Sequence, residues 1–530
     1  MVVLNRISNV PVIKKRRREE DPDRNVMVQF TCPDGNPVGP TLDLPLSTNA
    51  DQFGELLQGF LSSDEKHDAF TFMLEPVNLD GKPLPLAEIN GSLFDIFNHP
   101  TFLDKINTES VVPVKYFPLA KFKIRPVSRC TAALEGHKEA ILTVEFSPDG
   151  SRLASGSGDT TIRLWDLCTE TPEVTLTGHK HWVLRVLWSP DAQLLASGDM
   201  AGDVRIWRVA ERIKTPAAPK AGSTRKKAPP AVCPVPFTLL KGHKKPITDL
   251  CWQPLHLWKT SAKLVTACGD ATAVIYDATS GLKVFTLSCH TKPITQVRWS
   301  GIGGNEGTVF TASRDTTIKM WDASTGTMIK ELKGHAHWVN SLALNSDYVL
   351  RTGCFDHTGR RDFSGDDEKK AIARKRYEDF LKDVGMERLA SCSDDNTLFL
   401  WAPQADCKPV NRMTGHQQTV NCIRFSPDGK YIASAAFDKS VRLWEGRTGK
   451  FIHTLRGHVQ RVYQVSWAAD SRHFVSASAD STVKLWSVRE KRLLEDLPGH
   501  ADEVYAIDWS PDGARVCSGS KDRILKIWRH

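Results

Sequence analysis

An aromatic residue closes the same short pattern eight times in the last four hundred or so residues of this chain, first as Asp159-Thr-Thr-Ile-Arg-Leu-Trp165. The closings are Trp165, Trp207, Tyr276, Trp321, Trp401, Trp444, Trp486 and Trp528, spaced by 42, 69, 45, 80, 43, 42 and 42 residues. A base period of about 42 with two insertions means stacked copies of one supersecondary unit, not a single irregular core. Each unit opens on Gly-His, at His137, His179, His243, His335, His416, His458 and His500, with Cys289-His290 as the variant. Eight openings match eight closings.

Period, opening and closing together resemble the WD40 repeat, whose four antiparallel strands make one propeller blade. The resemblance runs from about residue 128 to the end and implies an all-β, eight-bladed propeller over 118–530. The local pattern agrees independently. Ile141–Phe146, Arg152–Gly156 and Thr161–Trp165 are short, β-branched and separated by turns such as Ser-Pro-Asp-Gly. The chain ends two residues after Trp528, so the eighth unit lacks the outer strand that follows the aromatic elsewhere. Val127–Leu134, just ahead of the first Gly-His, is placed to supply it and so close the ring without a free edge.

Asp159, Asp270, Asp315, Asp395, Asp438, Asp480 and Asp522 each stand six residues before a closing aromatic. A row of carboxylates beside histidines invites a metal or catalytic reading, but the WD40 resemblance implies a structural one. The turn Asp accepts hydrogen bonds from the turn backbone and the Gly-His imidazole, which links through a Ser or Thr to the Trp. The network is expected at His137/Asp159/Trp165, His416/Asp438/Trp444, His458/Asp480/Trp486 and His500/Asp522/Trp528. In the second repeat Ala201 takes the Asp position, so that network should be weaker or differently satisfied.

With 530 residues, 40% of them hydrophobic, the chain can fill a propeller plus one smaller domain. The 12 Cys form no Cys-x-x-Cys pair, and Cys251, Cys422 and Cys517 fall in expected strands, as reduced packing residues of an intracellular protein would. No membrane span or secretory leader is read. Residues 1–25 form a basic tail in which Lys14 to Arg18 fits an import signal, a nucleic-acid arm or a solvated tail. The insertion 211–236 carries six Pro and several basic residues and reads as an extended surface loop. A second, 362–386, has Ile372, Tyr377, Phe380, Leu381 and Val384 at helical spacing and reads as an amphipathic helix packing on the propeller rim.

Residues 26–117 differ in character. Strand patterns at Val26–Phe30, Phe70–Leu74 and Val111–Tyr116 surround a helical pattern from Asp51 to Leu61. Their order suggests a small α+β, ubiquitin-like β-grasp domain. It holds 13 acidic residues against four Lys, net −9, while residues 118–530 carry +14. An acidic head on a basic ring argues for two chemically different partners, with the ring suited to polyanions.

Head, joining stretch Phe122-Lys-Ile-Arg-Pro-Val-Ser-Arg-Cys130 and eight repeats together resemble the Notchless family of large-ribosomal-subunit assembly factors. The resemblance implies a nuclear and nucleolar, monomeric protein with two partners: the pre-60S particle, and the AAA ATPase midasin, whose MIDAS domain grips the head. The family's gripping loop matches Ile106-Asn-Thr-Glu-Ser110, which implies Glu109 as the carboxylate offered to the partner's Mg²⁺, a hard cation that favours oxygen ligands. The chain needs no cofactor of its own.

On the propeller face of the Gly-His loops and Asp turns, the candidates for RNA or partner contact are Lys138, Lys180, Trp182, Lys244, Lys245, Lys292, Arg314, Trp338, Arg461 and Lys521. No phosphate loop, His-Glu-x-x-His or nucleophile elbow occurs, so the chain reads as a non-enzyme. Two other readings fit the same architecture: a ubiquitin-pathway adaptor, and a Notch-type signalling scaffold whose ring binds peptides.

Overall fold

The computed structural model describes residues 24–31, 37–60, 70–74, 87–89, 92–97, 111–118, 124–209, 237–259, 261–356, 361 and 363–530. Lys14 to Arg18, the 211–236 insertion and the Ile106 to Ser110 loop with Glu109 lie outside the described residues. Backbone contacts divide the chain into two units, 1–122 and 123–530.

In the first unit, β1 (Asn25–Thr31), β2 (Pro37–Pro45), β3 (Phe70–Leu74), β4 (Ala87–Glu88) and β5 (Val112–Pro118) form one sheet in the order β2-β1-β5-β3-β4. β1 and β5 run parallel and the other neighbours antiparallel, which is the β-grasp arrangement. Alternation along β1 buries Val26, Val28 and Phe30, and α1 (Ala50–Phe60) adds Phe53 and Leu57 to the same core. Phe53 lies 5.8 Å from Phe30 and 5.5 Å from Phe72, between ring centroids. The helix starts where Gln52 reaches back to the Asn49 backbone N–H at 2.9 Å, half of a capping box. Three elements went unread in the sequence: β2, β4 and the short helix α2 (Leu93–Phe97). β2 contains Pro37, Pro40 and Pro45, a density of missing donors that suits an edge strand, and it is the edge of this sheet.

The second unit is a ring of eight four-stranded antiparallel sheets. Blade 1 runs outward through Ile141–Phe146, Arg152–Ser157, Ile162–Asp166 and Thr171–Leu176. Blade 8 combines Val504–Trp509, Arg515–Ser520 and Leu525–Arg529 with Arg129–Leu134 as its outer strand, as expected from the truncated last repeat. The Ile527/Ala132 register joins the two ends of the ring. The stretch leading into it is also held: the Ile124 N–H donates to Asp470 at 3.1 Å and the Ser128 N–H to the Arg529 carbonyl at 2.8 Å.

Each closing Trp is buried, and between neighbouring sheets small clusters of Leu, Val, Ile and Trp replace one central core. All ten described cysteines are free; Cys422 and Cys517 are buried and Cys251 partly so.

Repeat and blade are offset by one strand, so the 211–236 insertion falls inside blade 2, between Val204–Arg208 and Phe237–Leu240. The other insertion lies between the first two strands of blade 5 and holds two helices, α3 (Asp347–Thr352) and α4 (Asp366–Val384), where the sequence suggested one over 362–386. α4 buries Tyr377 and Phe380 as the periodicity implied. His256 of blade 3 stacks on Tyr377 at 4.8 Å, and Phe380 packs over Gly429 of blade 6. α3 reaches over the mouth of the central channel. Arg351 there forks onto Asp508 of blade 8 and lies 3.2 Å from Glu145 of blade 1.

Candidate functional site

Antiparallel strands put every turn between second and third strands, and every loop into the next blade, at one end of the ring. The Gly-His loops and Asp turns therefore share a face. Beneath it the expected network forms in full in six of the eight blades. In blade 7, His458 Nδ1 lies 2.8 Å from Asp480, His458 Nε2 lies 2.7 Å from Ser476 Oγ, and the Trp486 indole donates to that same Oγ at 2.8 Å. Blade 1 repeats it through His137, Asp159 at 3.0 Å, Ser155 and Trp165, blade 6 through His416, Asp438, Ser434 and Trp444, and blade 8 through His500, Asp522, Ser518 and Trp528. The Asp480 carboxylate also accepts the Val459 and Thr482 backbone N–H groups, capping loop and turn at once.

Burial lowers the pKa of His137, His243, His416 and His500 against the raising effect of the adjacent carboxylate. For Asp159 and Asp480 burial raises the pKa, but hydrogen bonds from the imidazole and the turn Thr outweigh it and hold the carboxyl well below its usual range. With a neutral imidazole the chain runs from indole N–H to Ser Oγ, from Ser O–H to Nε2, and from Nδ1–H to Asp. Every group is then occupied, which suits a rivet rather than a reaction.

Two blades depart. In blade 2, where Ala201 replaces the turn Asp, the carboxylate comes from Asp199, two residues earlier at the end of the second strand, 2.9 Å from His179 Nδ1 and fully buried. The network is differently satisfied, not lost. In blade 3, Cys268 stands beside His243 and Asp270, three potential metal ligands within 4.8 Å of one another. Their atoms are engaged: His243 with Asp270 and Thr266, and the Cys268 thiol, pushed up to about 11 by burial, with the Lys245 carbonyl at 3.1 Å. Tyr276, standing for Trp, donates instead to the Lys241 carbonyl.

Above this layer the ten expected contact residues are all exposed. Lys138, Lys180, Lys244, Lys245 and Lys292 follow their blade's histidine in the loops of blades 1 to 4. The Arg314 guanidinium lies 4.5 Å over the Trp338 ring, joining blades 4 and 5. Trp182, 48% exposed, lies against Gly158 of blade 1. Arg461 covers Phe437 at 5.3 Å, and Phe437, Tyr463 and Tyr505 continue as an aromatic run over blades 6 to 8. Lys521 is tied to Asp502 at 3.3 Å. Sequence reasoning missed Phe437, Tyr463, Tyr505 and Val459, the last 70% exposed directly after a histidine; an apolar residue at a loop position that other repeats fill with Lys was the signal.

A model of the WD domain, G-beta repeat, matches eight times, at 128–166, 170–208, 235–277, 281–322, 326–360, 407–445, 449–487 and 491–529. The computationally designed Ika8 protein superposes with a TM-score of 0.54 at 23% identity, covering 76% of this chain and 100% of that one, a likeness of fold. Protein Notchless of Drosophila melanogaster is 44% identical over 426 residues, 79% of each chain. Ribosome assembly protein 4 of Saccharomyces cerevisiae is 41% identical over 465 residues, 84% of each, and the Notchless protein homolog of Arabidopsis thaliana 46% over 436 residues, 82% of this chain and 83% of that one. With eight matched repeats forming a closed ring and this identity over about four-fifths of each relative, the chain belongs to the Notchless family of WD-repeat proteins.

Proposed function

We propose that this protein is a ribosome assembly factor of the large subunit, acting in the nucleus and nucleolus without catalysis of its own. The observation that carries the reading is the 41% identity to Ribosome assembly protein 4, over 84% of both chains. In this reading the Gly-His face docks the ring on the pre-60S particle. Its exposed lysines meet backbone phosphates, and Trp182, the Arg314–Trp338 pair and the Phe437–Tyr463–Tyr505 run offer stacking surfaces to unpaired bases or side chains of bound proteins. The acidic head is the handle for midasin, with Glu109 supplying a carboxylate oxygen to the Mg²⁺ of the partner's MIDAS domain. Energy for remodelling comes from that ATPase.

The test uses the full chain and a midasin MIDAS domain, with and without Mg²⁺, alongside co-sedimentation with pre-60S particles. Metal-dependent binding that Glu109→Ala abolishes, in a protein that still co-sediments, is the expected result. Binding indifferent to both metal and Glu109 removes the Glu109 assignment. Failure to co-sediment removes the assembly role and favours the ubiquitin-adaptor alternative that a β-grasp head also fits.

A further inference from the structure

The first strands of blades 1, 2, 3, 4, 6, 7 and 8, together with α3, line the central channel. Beneath α3 the channel encloses about 230 Å³ and is lined by an unusual density of charge. Four carboxylates, Glu145, Asp249, Asp347 and Asp508, face four guanidinium groups, Arg185, Arg298, Arg351 and Arg424. A one-to-one match would make the hub neutral and closed, but the pairing is unequal. Arg351 takes both Asp508 and Glu145. Arg298 takes Asp249 at 2.9 Å and Asp347 at 3.4 Å, and Arg185 reaches the other oxygen of Asp249 at 3.4 Å.

Three arginines thus engage all four acids. The Arg424 side chain has no hydrogen bond and no carboxylate within 4.0 Å among the described residues, although it stands in the same cavity. Burial is the main cause that lowers its pKa, repulsion from Arg298 and Arg185 adds to it, and the more distant Asp347 carboxylate and Cys422 oppose it. The acid side is weaker than its count suggests, because burial pushes Glu145 up to about 8. One guanidinium of the hub is thus left without an ion-pair partner, lining a space several waters large.

We infer that the central channel is an anion site, in which Arg424 binds a small inorganic oxyanion of phosphate or sulfate size, held between the inner strands and α3. An isolated guanidinium in a partly desolvated cavity is costly, and a fork of N–H donors is matched best by an oxyanion's paired oxygens. The site is separate from the exposed face used for docking, and α3 bridging blades 1, 4 and 8 above it would be steadied when it fills.

The experiment is calorimetric titration of the full chain with inorganic phosphate at constant ionic strength, phosphate replacing chloride, together with the thermal midpoint against phosphate concentration. Wild type should show one saturable site per chain and a midpoint that rises and then levels. Arg424→Gln should weaken the site at least tenfold and remove the saturable part of the rise, while its midpoint in chloride stays near wild type because no ion pair is lost. Arg424→Met serves as the second variant should Gln fold poorly, and a change at the exposed Lys408, Lys408→Gln, should bind like wild type. No saturable binding in wild type, or binding unchanged in a folded Arg424 variant, overturns the proposal and leaves Arg424 as a hydrated channel residue.

Discussion

Replacing Ser476 by Ala removes one oxygen and leaves two buried nitrogens without partners. The hydroxyl is fully buried, accepts the Trp486 indole N–H at 2.8 Å and donates to His458 Nε2 at 2.7 Å. Each orphaned buried group costs about 1–3 kcal/mol, so Ser476→Ala should destabilise the ring by about 2–6 kcal/mol, where an exposed Ser→Ala change is usually within about 0.5 kcal/mol. The matched control is Ser476→Thr. It keeps the hydroxyl at a position that blades 3 and 4 already fill with Thr266 and Thr311, each 2.8 Å from its histidine, so it should lie within about 1 kcal/mol of wild type. Urea unfolding followed by Trp fluorescence gives the difference, provided the slope stays constant. Hydrogen exchange in His473–Ser478 and Val483–Ser487 tests whether the loss is local to blade 7. Equal midpoints for Ala and Thr would refute the idea that this hydroxyl's two bonds, rather than Trp burial alone, hold the blade.

Two further outcomes follow from the same layer. Asp199→Ser should cost about 1.5–3 kcal/mol in urea unfolding by stripping His179 of its carboxylate, and adding Ala201→Asp should recover most of it by rebuilding the arrangement of Ser157 and Asp159 in blade 1. On acidification, groups with depressed folded pKa give stability that is present above their unfolded pKa and lost as pH falls. For the imidazoles that window opens below about 6.5 and for the turn carboxylates below about 3.8. Glu145, raised to about 8, works the other way between about 8 and 4.5 and partly masks the imidazoles. The urea midpoint should therefore decline gradually below about pH 6.5 and fall steeply below about 4, and Asp480→Asn should make that acid limb shallower.

What was legible in the sequence was whatever each repeat encodes locally. Gly-His, turn Asp and closing Trp recur because each blade needs its own rivet, and eight rivets imply eight blades. The missing outer strand was legible for the same reason, as a repeat cut short at Trp528 with its complement at Arg129–Leu134. Elements whose identity depends on distant partners were not. β2 carries three prolines and is a strand only because it borders β1; α3 is six residues long, and its role comes from Asp508 and Glu145, far away in sequence. Asp199 escaped because counting back from Trp207 presumed a fixed turn, while the imidazole needs only a carboxylate within reach. The lysines of the exposed face could be read as charge, yet Lys521 is bound by Asp502 and the aromatic run from Phe437 to Tyr505 exists only across blades. The channel had left its own trace. Glu145 in Ile141–Phe146, Asp249 in Ile247–Trp252, Arg298 in Ile294–Ser300 and Arg424 in Val420–Phe425 are charges set inside apolar first strands. In a strand buried on its other side such a charge needs a partner across the channel. The sequence gives the channel as many bases as acids, and it is the sharing of the acids among Arg185, Arg298 and Arg351 that leaves Arg424 without an ion-pair partner, the observation on which the anion site rests.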